Sequence, residues 1–162
     1  MQKKAEKNVI RLLQEHEEII SDLYKVFARK FPGYKRFWTA MSLEEQIHAG
    51  WIKKIYPSVK SGKVKLSSDR FKVSTLTRSL RHVRSEITRF QKTRSLSMAQ
   101  ALSTAIDIEN FPMESNFFEV YSTDSQEFET LLQSLNDAFL EHRNRLLDVL
   151  EKLNYIESIA RT

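Results

Sequence analysis

The stretch EEIISDLYKVFARKFPGYKRFWTAMSLEEQIHAGWI, residues 17–52, contains the pattern that decides the fold. Apolar side chains recur in it every three or four residues, on both sides of a Pro-Gly pair that breaks helices. Two amphipathic helices are therefore predicted, over residues 5–30 and 34–56, the second ending before Pro57. Because their connection is short, we expect these helices to pack antiparallel.

The same periodicity predicts three further helices, over residues 70–94, 98–121 and 125–154. Ser97 has the residue type of an N-cap for the fourth helix, and Pro112 is expected to kink that helix. The whole sequence has only three Gly and three Pro residues, too few for a turn-rich β fold. An all-α chain of five helices follows, forming a single domain over its 162 residues.

The composition excludes several kinds of site. The sequence contains no Cys, which rules out disulfides, thiolate metal sites and cysteine nucleophiles. No apolar stretch is long enough to span a bilayer, and the first residues lack the apolar core of a signal peptide. We therefore expect no membrane span and a cytoplasmic location.

Four of the predicted helices each carry acidic or imidazole side chains within an apolar face. These side chains are Glu17, Glu45 with His48, Glu109, and His142. Three carboxylates meeting in one core would repel one another unless they were protonated or bound to a cation. Glu45 and His48 are three residues apart and project from the same helical face, so that they reach the same ion. Since Glu and neutral His are natural ligands of divalent metals, the pattern predicts a buried metal site.

This arrangement resembles the rubrerythrin-like branch of the ferritin-like superfamily. That family has a Glu seven residues before a Tyr in its first helix, as Glu17 and Tyr24 stand here. It has Glu-x-x-His in its second helix, as Glu45 and His48 stand here. The resemblance implies a ferritin-like up-down four-helix bundle, in which the basic helix between the second and fourth helices is an additional crossover.

The resemblance also implies a function and a set of ligand roles. The family's non-haem di-iron sites react with peroxide or oxygen, as oxidoreductases of the peroxidase or ferroxidase type, or handle iron. Glu45 and Glu109 are then the expected bridging ligands, Glu17 a terminal ligand, and His48 and His142 the nitrogen ligands. Family analogy further implies a homodimer. Because the chain has no Cys-ligated iron domain, any redox cycle needs an external electron donor.

One departure from the family pattern leaves the form of the site open. The last helix of the family carries Glu-x-x-His, but Phe139 stands three residues before His142. An asymmetric di-iron site, a mononuclear site and a vestigial site all remain open, as does substitution of the lost carboxylate by Asp107 or Glu114. Zinc and manganese remain alternatives to iron. A non-catalytic metal-binding or interaction module is the alternative function.

Other polar residues near the site have competing interpretations. Glu18 competes with Glu17 as a ligand, but it is less well phased with the apolar face of the first helix. Tyr24 is expected to be a core residue rather than a hydrogen-bond partner of a ligand, and so is Tyr121. His16 and His82 fall off the apolar faces and are predicted to be exposed.

Most of the positive charge lies in one segment. Residues 57–96 carry eleven Lys and Arg side chains against two acids, whereas the rest carries fifteen against nineteen. Residues 57–69 are expected to form an exposed linker, and the helix that follows has the apolar seam Leu76, Leu80, Val83, Ile87 and Phe90. Its basic side, within residues 76–94, is either a solvated face or a surface for an anionic partner. Few aromatic residues lie among the Arg residues, so nucleic acid is not the favoured partner.

Overall fold

Five α-helices form most of the computed structural model, which describes residues 2–66, 73–114, 121–123 and 125–160. The helices are α1 (Gln2–Lys30), α2 (Lys35–Ser61), α3 (Val73–Lys92), α4 (Met98–Glu114) and α5 (Gln126–Ala160). A 3-10 turn, Pro32–Tyr34, joins α1 to α2. Two three-residue strands, β1 (Val64–Leu66) and β2 (Tyr121–Thr123), pair antiparallel. The predicted all-α class is confirmed, with this short ribbon added to it.

The predicted end of the second helix before Pro57 was wrong. α2 continues through Pro57 to Ser61. A proline removes one N–H donor, which the long helix tolerates here, and the true stop signal is Gly62. Gly62 has a left-handed backbone with φ of 80°, and its N–H donates to the carbonyls of Ser58 and Val59. The expected linker over 57–69 therefore begins as helix and continues into β1.

The other helix boundaries differ from expectation mainly at the C-terminal ends. The fourth helix was expected to reach Tyr121, but α4 ends at Glu114 and Tyr121 pairs with Leu66 in the ribbon. α5 extends six residues beyond the predicted residue 154, to Ala160. The predicted start of the third helix at residue 70 lies outside the described residues.

Ser97 caps α4 as expected. Its Oγ accepts a hydrogen bond from the N–H of Gln100 at 3.2 Å, and its own N–H donates to Gln100 Oε1 at 2.8 Å. These two bonds form a capping box, which satisfies two donors at the helix start. Pro112 lies only two residues before the end of α4, so it stands close to the helix terminus rather than in its middle.

The apolar core has two parts. The first apolar cluster contains, among others, Leu13, Ile52, Leu76 and Phe139. The second apolar cluster contains, among others, Ile20, Met41, Val83, Leu102 and Leu146. Sequence order shows that α1, α3 and α5 run from the first cluster to the second, whereas α2 runs the other way. α4 also runs from the second cluster towards the first, because its late residue Phe111 packs on the first. Consecutive helices are therefore antiparallel.

The seam predicted on α3 faces the core. Leu76, Leu80, Val83 and Phe90 are buried, Ile87 is half-buried, and the helix packs against α1 and α4. Arg78 and Arg81 are exposed on the opposite side. Arg84 forms an ion pair with Glu15 of α1, so part of the basic face neutralises an acid on a neighbouring helix. Among the helices described, none is both long and apolar enough to cross a membrane.

Gly50 within α2 and Gly62 at its C-terminal cap allow a matched test of the helix end. Gly62→Ala should destabilise the protein by about 1 kcal/mol, because a Cβ is strained at positive φ. Gly50→Ala should instead stabilise it by roughly 0.5–1 kcal/mol, since Gly50 lies inside the helix and an added Cβ meets nothing within 4 Å. Urea unfolding followed by circular dichroism measures both. Equal effects of the two substitutions would contradict the left-handed cap.

Candidate metal centre

A polar layer lies between the two apolar clusters. On α1, Glu17 falls between Leu13 of the first cluster and Ile20 of the second. On α5, His142 falls in the same way between Phe139 and Leu146. The five residues predicted as ligands all lie in this layer, and each is at most 4% exposed: Glu17, Glu45, His48, Glu109 and His142. The apolar clusters on either side keep water away from them.

Glu45 lies between the two imidazoles. Its Oε2 is 3.0 Å from Nδ1 of His48, and its Oε1 is 2.7 Å from Nδ1 of His142. The two imidazole ring centroids are 5.0 Å apart. Both rings therefore present the same nitrogen to one carboxylate, each to a different oxygen.

Two further carboxylates flank this arrangement, one beside each imidazole. Glu17 Oε2 lies 3.7 Å from Nδ1 of His48. Glu109 Oε1 lies 3.5 Å from Nδ1 of His142. The layer thus divides into a first half-site, Glu17 with His48, and a second half-site, Glu109 with His142. The Glu45 carboxylate is shared between them.

Several buried oxygen and nitrogen atoms of the layer lack hydrogen-bond partners within the described part of the chain. They are Glu17 Oε2, Glu45 Oε1, Glu109 Oε2 and His142 Nδ1. Glu45 Oε1 and His142 Nδ1 are close, but they are not aligned as a hydrogen bond. A buried polar atom without a partner costs about 1–3 kcal/mol, and such clusters call for an explanation. Donor atoms of Glu45, His48 and His142 all lie within 4.8 Å of one another, which suits a shared metal ion.

Burial shifts the protonation of the carboxylates. Burial, reinforced by the Glu45 charge, raises the pKa of Glu17 to about 7 against the opposing effect of His16. Burial and the Glu109 charge likewise raise the pKa of Glu45 to about 7. For Glu109, burial acts in the same direction, but His142 and Tyr24 outweigh it and hold the pKa below its usual value.

The pKa values of the two histidines in the layer shift in opposite directions. Burial lowers the pKa of His48. Burial also opposes the charge on His142, but Glu109 and Glu45 outweigh it and raise the pKa of His142 to about 11. A coordinating imidazole must be neutral, so a metal ion entering the second half-site must displace a proton from His142. Metal binding is therefore expected to release protons.

Hydrogen bonds from neighbouring residues orient the ligands. The Tyr24 hydroxyl donates to Glu109 Oε1 at 2.7 Å, so Tyr24 is both a fully buried core residue and a partner of a ligand. Glu44 Oε2 lies 2.7 Å from Nε2 of His142, and Arg145 binds both oxygens of Glu44. The sequence did not single out Glu44 or Arg145, because neither lies on an apolar face.

The expectation that His16 is exposed was wrong. His16 is 2% exposed, its Nε2 lies 2.7 Å from Ser79 Oγ on α3, and its Nδ1 lies 3.6 Å from Glu17 Oε1. α1 packs against both α2 and α3, so the buried arc of α1 is wider than a single apolar stripe. His82, by contrast, is exposed as predicted.

The structure separates the competing residues. Glu18 is exposed and accepts a hydrogen bond from Gln14, so Glu17 is the acid of α1 that enters the layer. Asp107 is exposed and does not replace the carboxylate that Phe139 lacks. Phe139 is buried, with its ring centroid 6.0 Å from that of His48. The side chains of Glu114 and Tyr121 are not among those that the structure describes.

The raised pKa of Glu17 predicts a stability effect in metal-free protein. A carboxyl whose folded-state pKa is above its unfolded value of 4.5 loses stability as pH rises from about 4.5 to 7. Glu17→Gln should therefore raise the melting temperature by several degrees at pH 8 in a chelator, and change it little at pH 4. Glu18→Gln is the exposed control and should have no such effect. A lowered melting temperature for the Glu17 variant at pH 8 would contradict this account.

Comparison of the chain with known proteins identifies no relative. No family model, curated protein or solved structure matches it. The function must therefore be inferred from the chemistry of the polar layer, where a buried Glu45, His48 and His142 group could hold a metal ion.

Proposed function

We propose that this protein binds divalent transition-metal ions in its polar layer, one in each half-site, with Glu45 bridging them. One observation carries the proposal: the fully buried Glu45 carboxylate lies between Nδ1 of His48 and Nδ1 of His142. Each half-site adds one further carboxylate, Glu17 or Glu109, within 3.7 Å of its imidazole nitrogen. Carboxylate and imidazole together are a donor set for iron, manganese or zinc.

Charge balance supports the binding of metal ions in the polar layer. Three ionised carboxylates in a dry core repel one another. Burial, reinforced by this repulsion, raises the pKa values of Glu17 and Glu45 to about 7. Two divalent ions supply four positive charges against three negative ones. The ions would also give partners to Glu17 Oε2, Glu45 Oε1 and His142 Nδ1, which have none within the described residues.

We further propose that iron is the resident metal and that the protein is a ferritin-like, rubrerythrin-related oxidoreductase. Three features support this proposal: consecutive helices are antiparallel, α2 carries a Glu-x-x-His pair, and α3 lies in the sequence between the helix pairs α1–α2 and α4–α5, which supply the proposed ligands. Two bound ferrous ions would supply the two electrons that, with two protons, reduce one hydrogen peroxide to two waters. With no Cys in the chain, re-reduction of the ferric ions needs an external donor.

A redox-silent metal-binding module is the second candidate. The observation that favours it is Phe139, which leaves the described part of the layer with one carboxylate fewer than a complete di-iron carboxylate site. A single ion held by Glu45, His48 and His142 would then stabilise the bundle without turnover.

Metal analysis of reconstituted variants tests the binding proposal. Wild-type protein loaded with ferrous iron without oxygen should retain about two ions per chain after desalting. His48→Ala and His142→Ala should each retain about one, and Glu45→Ala fewer than either, because it removes the shared ligand. His82→Ala, at an exposed histidine, is the matched control and should retain two. A wild-type protein that retains no metal would contradict the proposal.

Peroxide consumption separates the two candidates. The iron-loaded protein should consume hydrogen peroxide catalytically with a chemical reductant, and the zinc-loaded protein should not, since zinc has no redox chemistry. Oxygen-electrode and peroxide assays on the two forms measure this difference. Tight metal binding without peroxide or oxygen consumption by the iron form would favour the redox-silent module.

A further inference from the structure

Consecutive residues of α2 contact opposite edges of the His142 ring. Glu45 Oε1 faces Nδ1 at 2.7 Å, inside the layer. Glu44 Oε2 lies 2.7 Å from Nε2, on the outer side of the same ring. His142 is thereby held between two carboxylates of one helix, although it belongs to another.

Arg145 holds Glu44 in place. Its guanidinium donates to both carboxylate oxygens of Glu44, with Nη1 at 3.0 Å from Oε1 and Nη2 on the oxygen that also faces His142. Bidentate pairing of this kind fixes the orientation of a carboxylate. Arg145 lies three residues after His142, so one turn of α5 both carries the ligand and orients the acid that contacts it. About two thirds of each of the Glu44 and Arg145 side chains is buried, at the edge of the layer.

We infer that Glu44 is a positioning residue for the second half-site, an inference that rests on the proposed metal binding. A neutral imidazole carries one N–H, and the hydrogen bond at one ring nitrogen decides which nitrogen keeps the proton. An ionised carboxylate only accepts. Glu44 therefore keeps the proton on Nε2 and leaves the Nδ1 lone pair directed towards Glu45 and Glu109, where the metal would bind.

The first half-site has no equivalent of Glu44 among the described residues. The outer surroundings of the His48 ring are aromatic, with Trp51 at 5.3 Å and Phe139 at 6.0 Å between centroids. The second half-site thus has a carboxylate–imidazole pair that raises ligand basicity, and the described part of the chain gives the first half-site none. Substitution of Glu44 should accordingly weaken the binding of the metal ion in the second half-site and leave binding in the first half-site unchanged.

The test uses zinc as the probe, because it is diamagnetic and allows NMR of histidine ring nitrogens. In zinc-loaded wild type, His142 should show an Nε2–H proton that is shifted downfield and protected from exchange. Glu44→Ala should remove that signal and lower the affinity for one of two zinc ions by roughly 10–100-fold. Glu44→Gln, which keeps a neutral hydrogen-bond acceptor of the same shape, should lower this zinc affinity less than Glu44→Ala does. Zinc affinity is measured by competition with a chromophoric chelator.

Glu141→Gln is the matched control. Glu141 also faces Arg145, at 3.9 Å, but its side chain is 71% exposed. Among the described residues the His142 ring pairs with Glu44, Glu45 and Glu109 instead, so both the affinity and the NMR signal should be unchanged in this variant. Wild-type zinc binding together with an unaltered signal and affinity in Glu44→Gln and Glu44→Ala would overturn the role of Glu44 alone. If Glu44→Ala does not fold, Glu44→Gln decides the result. Absence of zinc binding by wild type would overturn the proposed function itself.

Discussion

The rest of the structure depends on one constraint, the burial of the Glu45 carboxylate between two imidazole nitrogens. A charge in that position is costly unless it is paired, and its partners must come from other helices to surround it. α2 supplies His48, one turn away on the same face, and α5 supplies His142 from across the bundle. The relative register of α2 and α5 is therefore fixed by chemistry at this level, and not by apolar packing alone.

The two apolar clusters make that chemistry effective. They contain large buried residues above and below the layer, such as Phe27, Trp38 and Leu135, which exclude water and hold the helix backbones in place. In a dry layer the carboxylates interact strongly with one another and with any bound cation. Rigid helices also hold these side chains in place, so the proposed metal binding would need little further ordering.

Helical periodicity predicted most of the fold and the inner layer, but not the surroundings of that layer. Glu17, Glu45, His48, Glu109 and His142 were found because each interrupts an apolar stripe with a polar group. Glu44 and Arg145 interrupt no stripe, and their pairing depends on how α2 and α5 face each other. His16 was missed because a helix with two neighbours buries more than one stripe. The end of α2 was missed because Pro57 is a weaker stop than a glycine at positive φ.

Phe139 has a consequence for the metal-free protein. The described residues bring three carboxylates to the layer rather than four, and with three the layer approaches neutrality without a cation. The His142 charge offsets that of Glu109, while Glu17 and Glu45 keep part of their protons near pH 7. A fourth carboxylate at position 139 would add repulsion beside His48, whose pKa burial lowers and which therefore tends to stay neutral. The bundle can thus fold without metal, and the proposed metal binding would exchange protons for cations within a preformed site.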